Sequence, residues 1–229
     1  MSALPGGAAE AVPLRAVDVA STRDRLLAAA RSVVEEHGYG GASVAAISVA
    51  AGVANGTLYR HFGSKAELFV EVFRDVCGRE VDAMRAAVEQ VGQDGRPDPV
   101  ERVLAPLDVF ARRALQNRTL AWALLAEPVD ALVDEVRLEY RRTYRDLLVG
   151  LLADAVDAGA LPPQDAGLTA AALVGAVGEA LVGPVSPRAE PASGTDDSLL
   201  SGLRDVCRRA TGAPPRGPDR LPQGDGDRR

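Results

Sequence analysis

The stretch SVAAISVAAGVANGTLYRHFGSK, residues 43–65, contains two short helix patterns separated by a glycine. Ser43 is suited to cap the first helix, because its hydroxyl can accept a hydrogen bond from a free backbone amide. Ile47 and Ala51 then recur on one face of that helix. Gly52 can adopt the left-handed backbone that ends a helix, and a second short helix follows. Two short helices joined by a glycine-containing turn form a helix-turn-helix.

The second helix carries side chains that are typical of contacts with DNA. In a helix-turn-helix the first residues of this helix enter the major groove. Asn55 and Thr57 offer short donors and acceptors to base edges, and the Tyr59 hydroxyl can bind a phosphate. Lys65 begins the next helix, and a helix N-terminus with a lysine favours phosphate. The candidate DNA-binding residues are Ser43, Asn55, Gly56, Thr57, Tyr59, Arg60, His61 and Lys65.

Residues 43–69 resemble the DNA-binding signature of the TetR family of bacterial repressors. The matching residues are Ser43, Ile47, Ala51-Gly52-Val53, Gly56-Thr57-Leu58-Tyr59, His61-Phe62 and Ser64-Lys65, preceded by Gly38-Tyr39-Gly40. Ala54 departs from the family, which usually places a hydroxyl cap there, and Ser48-Val49 are also unusual. We expect these departures to affect phosphate contacts and affinity rather than the fold.

The resemblance implies a function and an assembly for the chain. TetR-family repressors are typically homodimers whose C-terminal domains hold a small, mostly apolar effector. Binding of that effector moves the two DNA-binding heads apart and releases a palindromic operator. The resemblance is specific only for residues 21–73, and beyond them only the order and packing character of the helices agree.

Composition favours an all-α protein. The chain has 229 residues, and aromatic residues make up only 4% of it, which suits helix packing better than a sheet sandwich. A net charge of −6 opposes binding to nucleic acid. However, residues 43–65 contain two cations, Arg60 and Lys65, and no acid, and Lys65 is the only lysine in the chain.

Glycine- and proline-rich stretches divide the chain into four parts. We predict a disordered arm at 1–20, a three-helix DNA-binding domain at 21–66, a helical effector-binding and dimerisation domain at 67–210, and a disordered tail at 211–229. One helix from Lys65 to about Gln90 links the two domains. Two helices near the end, 165–182 and 198–210, are predicted to pack against their equivalents in a second chain.

Candidate effector-binding residues lie on the helices of the second domain, because pockets between helices combine apolar walls with a few polar groups. They are Phe110, Trp122, Leu125, Tyr140, Tyr144 and Glu179. The tryptophan and both tyrosines also suit an ordinary core. Glu179 is a carboxylate on an otherwise small and apolar helix, so it must reach solvent, a partner or a ligand. The arginines at 137, 141 and 145 form a row for which a solvated face is favoured over an effector site.

Other functions are less favoured by the sequence. Cys77 and Cys207 lack metal-ligand spacing and are expected to be buried, although a redox pair remains open. With two histidines, no catalytic motif and no expected cofactor or metal, an enzyme is disfavoured. The main alternative is a helical protein that binds a small molecule without regulating DNA. No leader or membrane span is expected, which predicts a cytoplasmic protein.

Overall fold

The computed structural model describes residues 21–93, 95, 98–189 and 194–214. Over these residues the chain is all-α, as predicted, and no strand is present among them. The helices are α1 (Thr22–Gly41), α2 (Val44–Ala51), α3 (Asn55–His61), α4 (Lys65–Gln90), α5 (Pro99–Gln116), α6 (Arg118–Leu125), α7 (Ala131–Asp157), α8 (Ala166–Val185) and α9 (Asp196–Ala210). The predicted arm at 1–20 and residues 215–229 of the predicted tail lie outside the described residues.

Local capping and glycine geometry explain the first three helices. Ser21 caps α1 in a reciprocal capping box with Asp24. Gly38, with φ 72°, breaks the helical geometry of α1 near its end. The Ser43 hydroxyl accepts from the Ala46 amide at 3.1 Å and starts α2, which Gly52 ends in the left-handed conformation at φ 65°. The predicted helix-turn-helix is therefore present.

Helix α4 joins two apolar cores, as the sequence predicts. Phe69 and Phe73 in its first half are buried with the helix-turn-helix residues Leu26, Ile47 and Leu58. Helix α4 also packs against α5 and α7, and near its end Val88 belongs to the core formed by α5–α9. The first core also receives residues from the end of α6 and the start of α7. A movement of α6 or α7 therefore displaces side chains of the first core.

Helix α8 is apolar but largely uncovered. Leu168 is 70% exposed, and Ala172 and Ala176 are also exposed. Over the described ranges, α8 is the one helix long and apolar enough to cross a membrane, with mean hydropathy 1.7 and only 28% of its window buried. Length and composition alone are weak evidence for a span, since packing helices of soluble proteins share them.

Candidate DNA-binding surface and effector cavity

Helix α3 is anchored by two apolar side chains and exposes the rest. Leu58 is fully buried and Phe62, which follows the helix, is 3% exposed. The predicted contact residues Asn55, Gly56, Tyr59, Arg60 and His61 are all exposed, while Thr57 is half-buried. The structure thus presents these residues together on one short helix, and their contact with DNA stays a prediction.

The start of α3 has no side-chain cap. Ala54 has the extended backbone of an N-cap residue, with φ −69° and ψ 147°, but offers no oxygen to the free amides. Further along the helix, an Arg60 guanidinium nitrogen donates to the Thr57 hydroxyl at 3.1 Å. This contact couples a predicted base-reading side chain to a neighbouring cation.

Two of the predicted DNA-binding residues, Ser43 and Lys65, make contacts within the protein. The hydroxyl of Ser43 accepts the Ala46 amide. The Lys65 ammonium is half-buried, lies 3.4 Å from the Tyr39 carbonyl oxygen, and stands 4.7 Å and 5.3 Å from the ring centres of Tyr39 and Phe69. Lys65 must therefore leave these contacts to reach a phosphate.

The two unusual residues of α2 have opposite environments. Ser48 is fully buried, and its hydroxyl has no hydrogen-bond partner among the described residues. Val49 is 80% exposed. Neither side chain alters the path of α2, in line with the expectation that these departures leave the fold intact.

A cavity of about 640 Å³ lies between α4, α5, α7 and α8 and reaches the end of α6. Five of the six predicted effector residues line it, namely Phe110, Leu125, Tyr140, Tyr144 and Glu179. Trp122 does not, because Leu124 and Leu125 are the residues of α6 that border the cavity, and Trp122 lies earlier in the helix, packed against the core formed by α5–α9. The prediction for Trp122 is wrong in its placement, and effector binding by the other five stays a prediction.

The arginine row on α7 borders the same cavity. Arg137, Arg141 and Arg145 line it together with Arg142, whereas Glu179 is the only acid among the described residues that line it. Arg141 is exposed, but Arg145 is half-buried and the Arg137 side chain is only 13% exposed. The expectation that this row is a simple solvated face is therefore wrong, because these arginines lie on the face of α7 that borders the cavity.

Polar groups deeper in the cavity are uncharged at neutral pH. Cys77 and Tyr144 share a hydrogen bond, and burial raises the pKa of the Cys77 thiol to about 12. Burial likewise raises the pKa of Tyr144 above its ordinary value. Cys207 is also buried, and both cysteines are free thiols, as the sequence predicts. No group of three or more acidic, histidine or cysteine side chains suited to a metal occurs in the described part of the chain.

The turn between α6 and α7 is bonded directly to the DNA-binding domain. The two carboxylate oxygens of Glu127 accept the backbone amides of Tyr39 and Gly40, each at 2.8 Å. The Tyr39 hydroxyl also donates to Asp130. Sequence reasoning missed this contact, because the partners are 88 and 87 residues apart in the chain.

Comparisons with known proteins agree with this arrangement. Residues 26–72 match the family described as "Bacterial regulatory proteins, tetR family". The HTH-type transcriptional repressor KstR2 of Mycolicibacterium smegmatis is 28% identical over 149 residues, which cover 63% of this chain and 70% of that protein.

Two solved structures share the fold over most of the chain. The fatty acid degradation regulator FadR of Bacillus halodurans is 25% identical, with a TM-score of 0.65 and coverage of 82% of this chain and 95% of that one. The regulator FadR of Bacillus subtilis, solved in complex with stearoyl-CoA, is 19% identical, with a TM-score of 0.66 and coverage of 82% and 96%. Residues 26–72 therefore form a DNA-binding domain of the tetR family of bacterial regulatory proteins, and the solved structures share the fold of the helical second domain that follows it.

Proposed function

We propose that the protein is a dimeric transcriptional repressor that binds a palindromic operator and leaves it when a small, mostly apolar effector fills the cavity. The observation that carries this proposal is that one chain combines a cavity of about 640 Å³ with an exposed helix α3, the second helix of the helix-turn-helix, called the recognition helix below. The alternative, a ligand-binding protein without DNA regulation, leaves the exposed residues of α3 without a role.

The exposed face of α8 supports a homodimer. Ala171, Ala172, Ala176 and Leu168 are exposed although the helix is apolar, and water contact with such a face is unfavourable. A second copy of the chain can cover it, with α8 and α9 of each protomer forming a four-helix interface. We propose this arrangement rather than a membrane span, because Glu179 interrupts the apolar run. The protein then works in the cytoplasm.

The cavity supports an effector with an apolar body. Its wall includes Phe73, Met84, Leu107 and Phe110 beside the polar residues described above, and its volume lies within the usual range of ligand pockets, about 300–1,000 Å³. The FadR structure from Bacillus subtilis contains stearoyl-CoA. A ligand of similar character fits a cavity with apolar walls and arginines at its mouth.

Release from DNA follows if the effector favours a dimer whose two α3 helices no longer match successive major grooves. Such half-sites lie about 34–36 Å apart. An effector that prefers the non-binding state by about 3 kcal/mol lowers operator affinity on the order of 100-fold. Helix α4 connects both cores and is the element that would carry the change.

The proposal is tested by binding of the purified protein to the DNA upstream of its own gene, measured by fluorescence anisotropy at low salt. We expect binding to a palindromic fragment with two protomers or a multiple of two per site. A scrambled fragment of equal length is the control. Equal affinity for both fragments would contradict sequence-specific regulation.

A further inference from the structure

We propose that the effector carries an anionic group, which Arg137 and Arg141 bind at the α7 wall of the cavity, and that Arg137 transmits its presence to the DNA-binding domain through Glu127. This inference rests on the proposed function, and it names the ligand class and the coupling residues of the same cavity.

The charge balance of the cavity supports an anionic ligand. Among the residues that the structure describes, four arginines and one acid border the cavity. Arg137 pairs with Asp134 and Arg145 with Asp146, whereas Arg141 and Arg142 form no ion pair with any residue that the structure describes. A cluster of like charges beside apolar walls raises the local concentration of counter-ions. The site thus favours a ligand with an apolar body and an acidic head.

Arg137 has a buried hydrogen-bond donor that is not satisfied within the described structure. Its guanidinium donates to the carbonyl oxygens of Ala123 at 2.9 Å and Glu127 at 2.8 Å and to the Asp134 carboxylate at 3.2 Å, but its Nε–H is buried without a partner in the described structure. Burial lowers the pKa of this guanidinium below its ordinary value, and the nearby Arg141 charge acts in the same direction. A buried cation with a free donor is stabilised by an added anion.

A purely structural role accounts for only part of this geometry. The bonds to Ala123 and Glu127 satisfy carbonyls at the end of α6, as a capping arginine would. That role explains neither the unpartnered Nε–H nor the two unpaired arginines at the cavity mouth. An anion-binding site explains the unpartnered Nε–H and both unpaired arginines.

The Arg137 guanidinium also bonds to Glu127, the residue that contacts the DNA-binding domain. Arg137 holds the Glu127 carbonyl, while the Glu127 carboxylate holds the amides of Tyr39 and Gly40. A bound anion adds the attraction of opposite charges to its hydrogen bonds with the guanidinium, which a neutral carbonyl does not, so the anion competes with the carbonyls of Ala123 and Glu127 for Arg137. Withdrawal of the guanidinium then frees the α6–α7 turn and loosens its hold on the end of α1.

Isothermal titration calorimetry tests the ligand class with three probes of equal chain length. Dodecanoate and dodecanoyl-CoA carry a carboxylate and phosphates respectively, and methyl dodecanoate is the neutral control. We expect at least one anionic probe to bind about 10-fold or more tightly than the ester, and the better one identifies the anion. Equal binding of all three, or no binding of either anion, overturns the inference.

Variants test the residues. Arg137→Gln should lower affinity for the anionic probe by about 10- to 100-fold and leave the ester unaffected. Arg141→Gln should lower it by a smaller factor and guards against a folding defect in the first variant, because Arg141 is exposed. Arg112→Gln, an exposed arginine outside the cavity lining, is the matched control. Unchanged anion affinity in both cavity variants overturns the assignment.

Operator binding, measured on the same samples, separates this inference from the proposed function. In wild-type protein the bound anion should lower operator affinity. In Glu127→Gln the ratio of operator affinity without the anion to operator affinity with it should fall toward one. A protein that binds its operator but no anion retains the proposed function and loses this inference. A protein that binds the anion but no DNA loses the proposed function.

Discussion

The Lys65 ammonium lies 4.7 Å from the centre of the Tyr39 ring and 3.4 Å from the Tyr39 carbonyl oxygen. Tyr39 also carries the backbone amide that Glu127 holds. The first residue of α4 and the α6–α7 turn therefore meet on one residue of α1. A change at that turn reaches the predicted phosphate-binding lysine through a single residue, Tyr39.

We expect DNA to draw Lys65 out of this contact, since a cation–π contact of this kind contributes only about 0.5–2 kcal/mol. Lys65→Ala should reduce the slope of log affinity against log salt by about 1 per protomer, because one phosphate contact is lost. The measurement is operator binding over a salt series. Arg85→Ala, which removes an exposed cation near the far end of α4, is the control. An unchanged slope removes Lys65 from the DNA interface.

Ala54→Ser should stabilise the protein. The residue already has the backbone conformation of an N-cap, so a hydroxyl there can accept a free amide of α3 and raise the free energy of unfolding by about 0.5–2 kcal/mol. Urea unfolding at fixed protein concentration measures it. Ala28→Ser, exposed inside α1 where the amides are already paired, should give no gain. Equal effects of the two substitutions would argue against a missing cap.

Leu168→Arg should produce monomers, because it places a charge on the exposed apolar face of α8. Size-exclusion chromatography with light scattering gives the mass of the species. Leu132→Arg, at a leucine that is 48% exposed on the first turn of α7, is the matched control and should stay dimeric. If Leu168→Arg remains a dimer, the interface lies elsewhere.

Stability should fall at alkaline pH in a way that Cys77 controls. Burial raises the pKa of its thiol from 9.0 to about 12, so between these values the unfolded chain loses a proton that the folded protein keeps. The stabilising contribution is full below about pH 9 and is lost as the pH rises toward 12.

Urea unfolding of wild type and Cys77→Ala from pH 8 to pH 11 measures this effect as the difference between their free energies of unfolding. The range spans the pH values at which only the unfolded chain loses the proton. We expect the variant to lose less stability over the range. Cys207→Ala is the comparison, because burial raises the pKa of that thiol only to about 11. Parallel curves for wild type and Cys77→Ala would contradict the assignment.

Local signals made much of the fold predictable. Ser43, Gly52 and Ser64 fix helix ends by their own hydrogen bonds or backbone conformation, and these ends lie where the sequence places them. Boundaries shifted where a cap was overlooked. Helix α9 begins at Asp196 because Thr195 caps it, two residues before the predicted start.

The cavity was only partly predictable, because its walls come from elements far apart in the chain. Periodicity identified aromatic and acidic residues on the right helices, but not which turn of α6 borders the cavity, and so Trp122 was misplaced. The arginine row has the spacing of a solvated face, and only the packing of α7 against α8 turns it toward the cavity mouth. The contact between Glu127 and Tyr39 has no local signature at all.

The single lysine of the chain also has a practical consequence. An amine-reactive dye has one side-chain target, which lies at the start of α4, immediately after the recognition helix. Its coupling rate at that position reports whether the ammonium rests on Tyr39 or points outward, and a bound operator would shield it. The protein therefore carries its own site-specific label position, and its reactivity distinguishes the free protein from the protein on DNA.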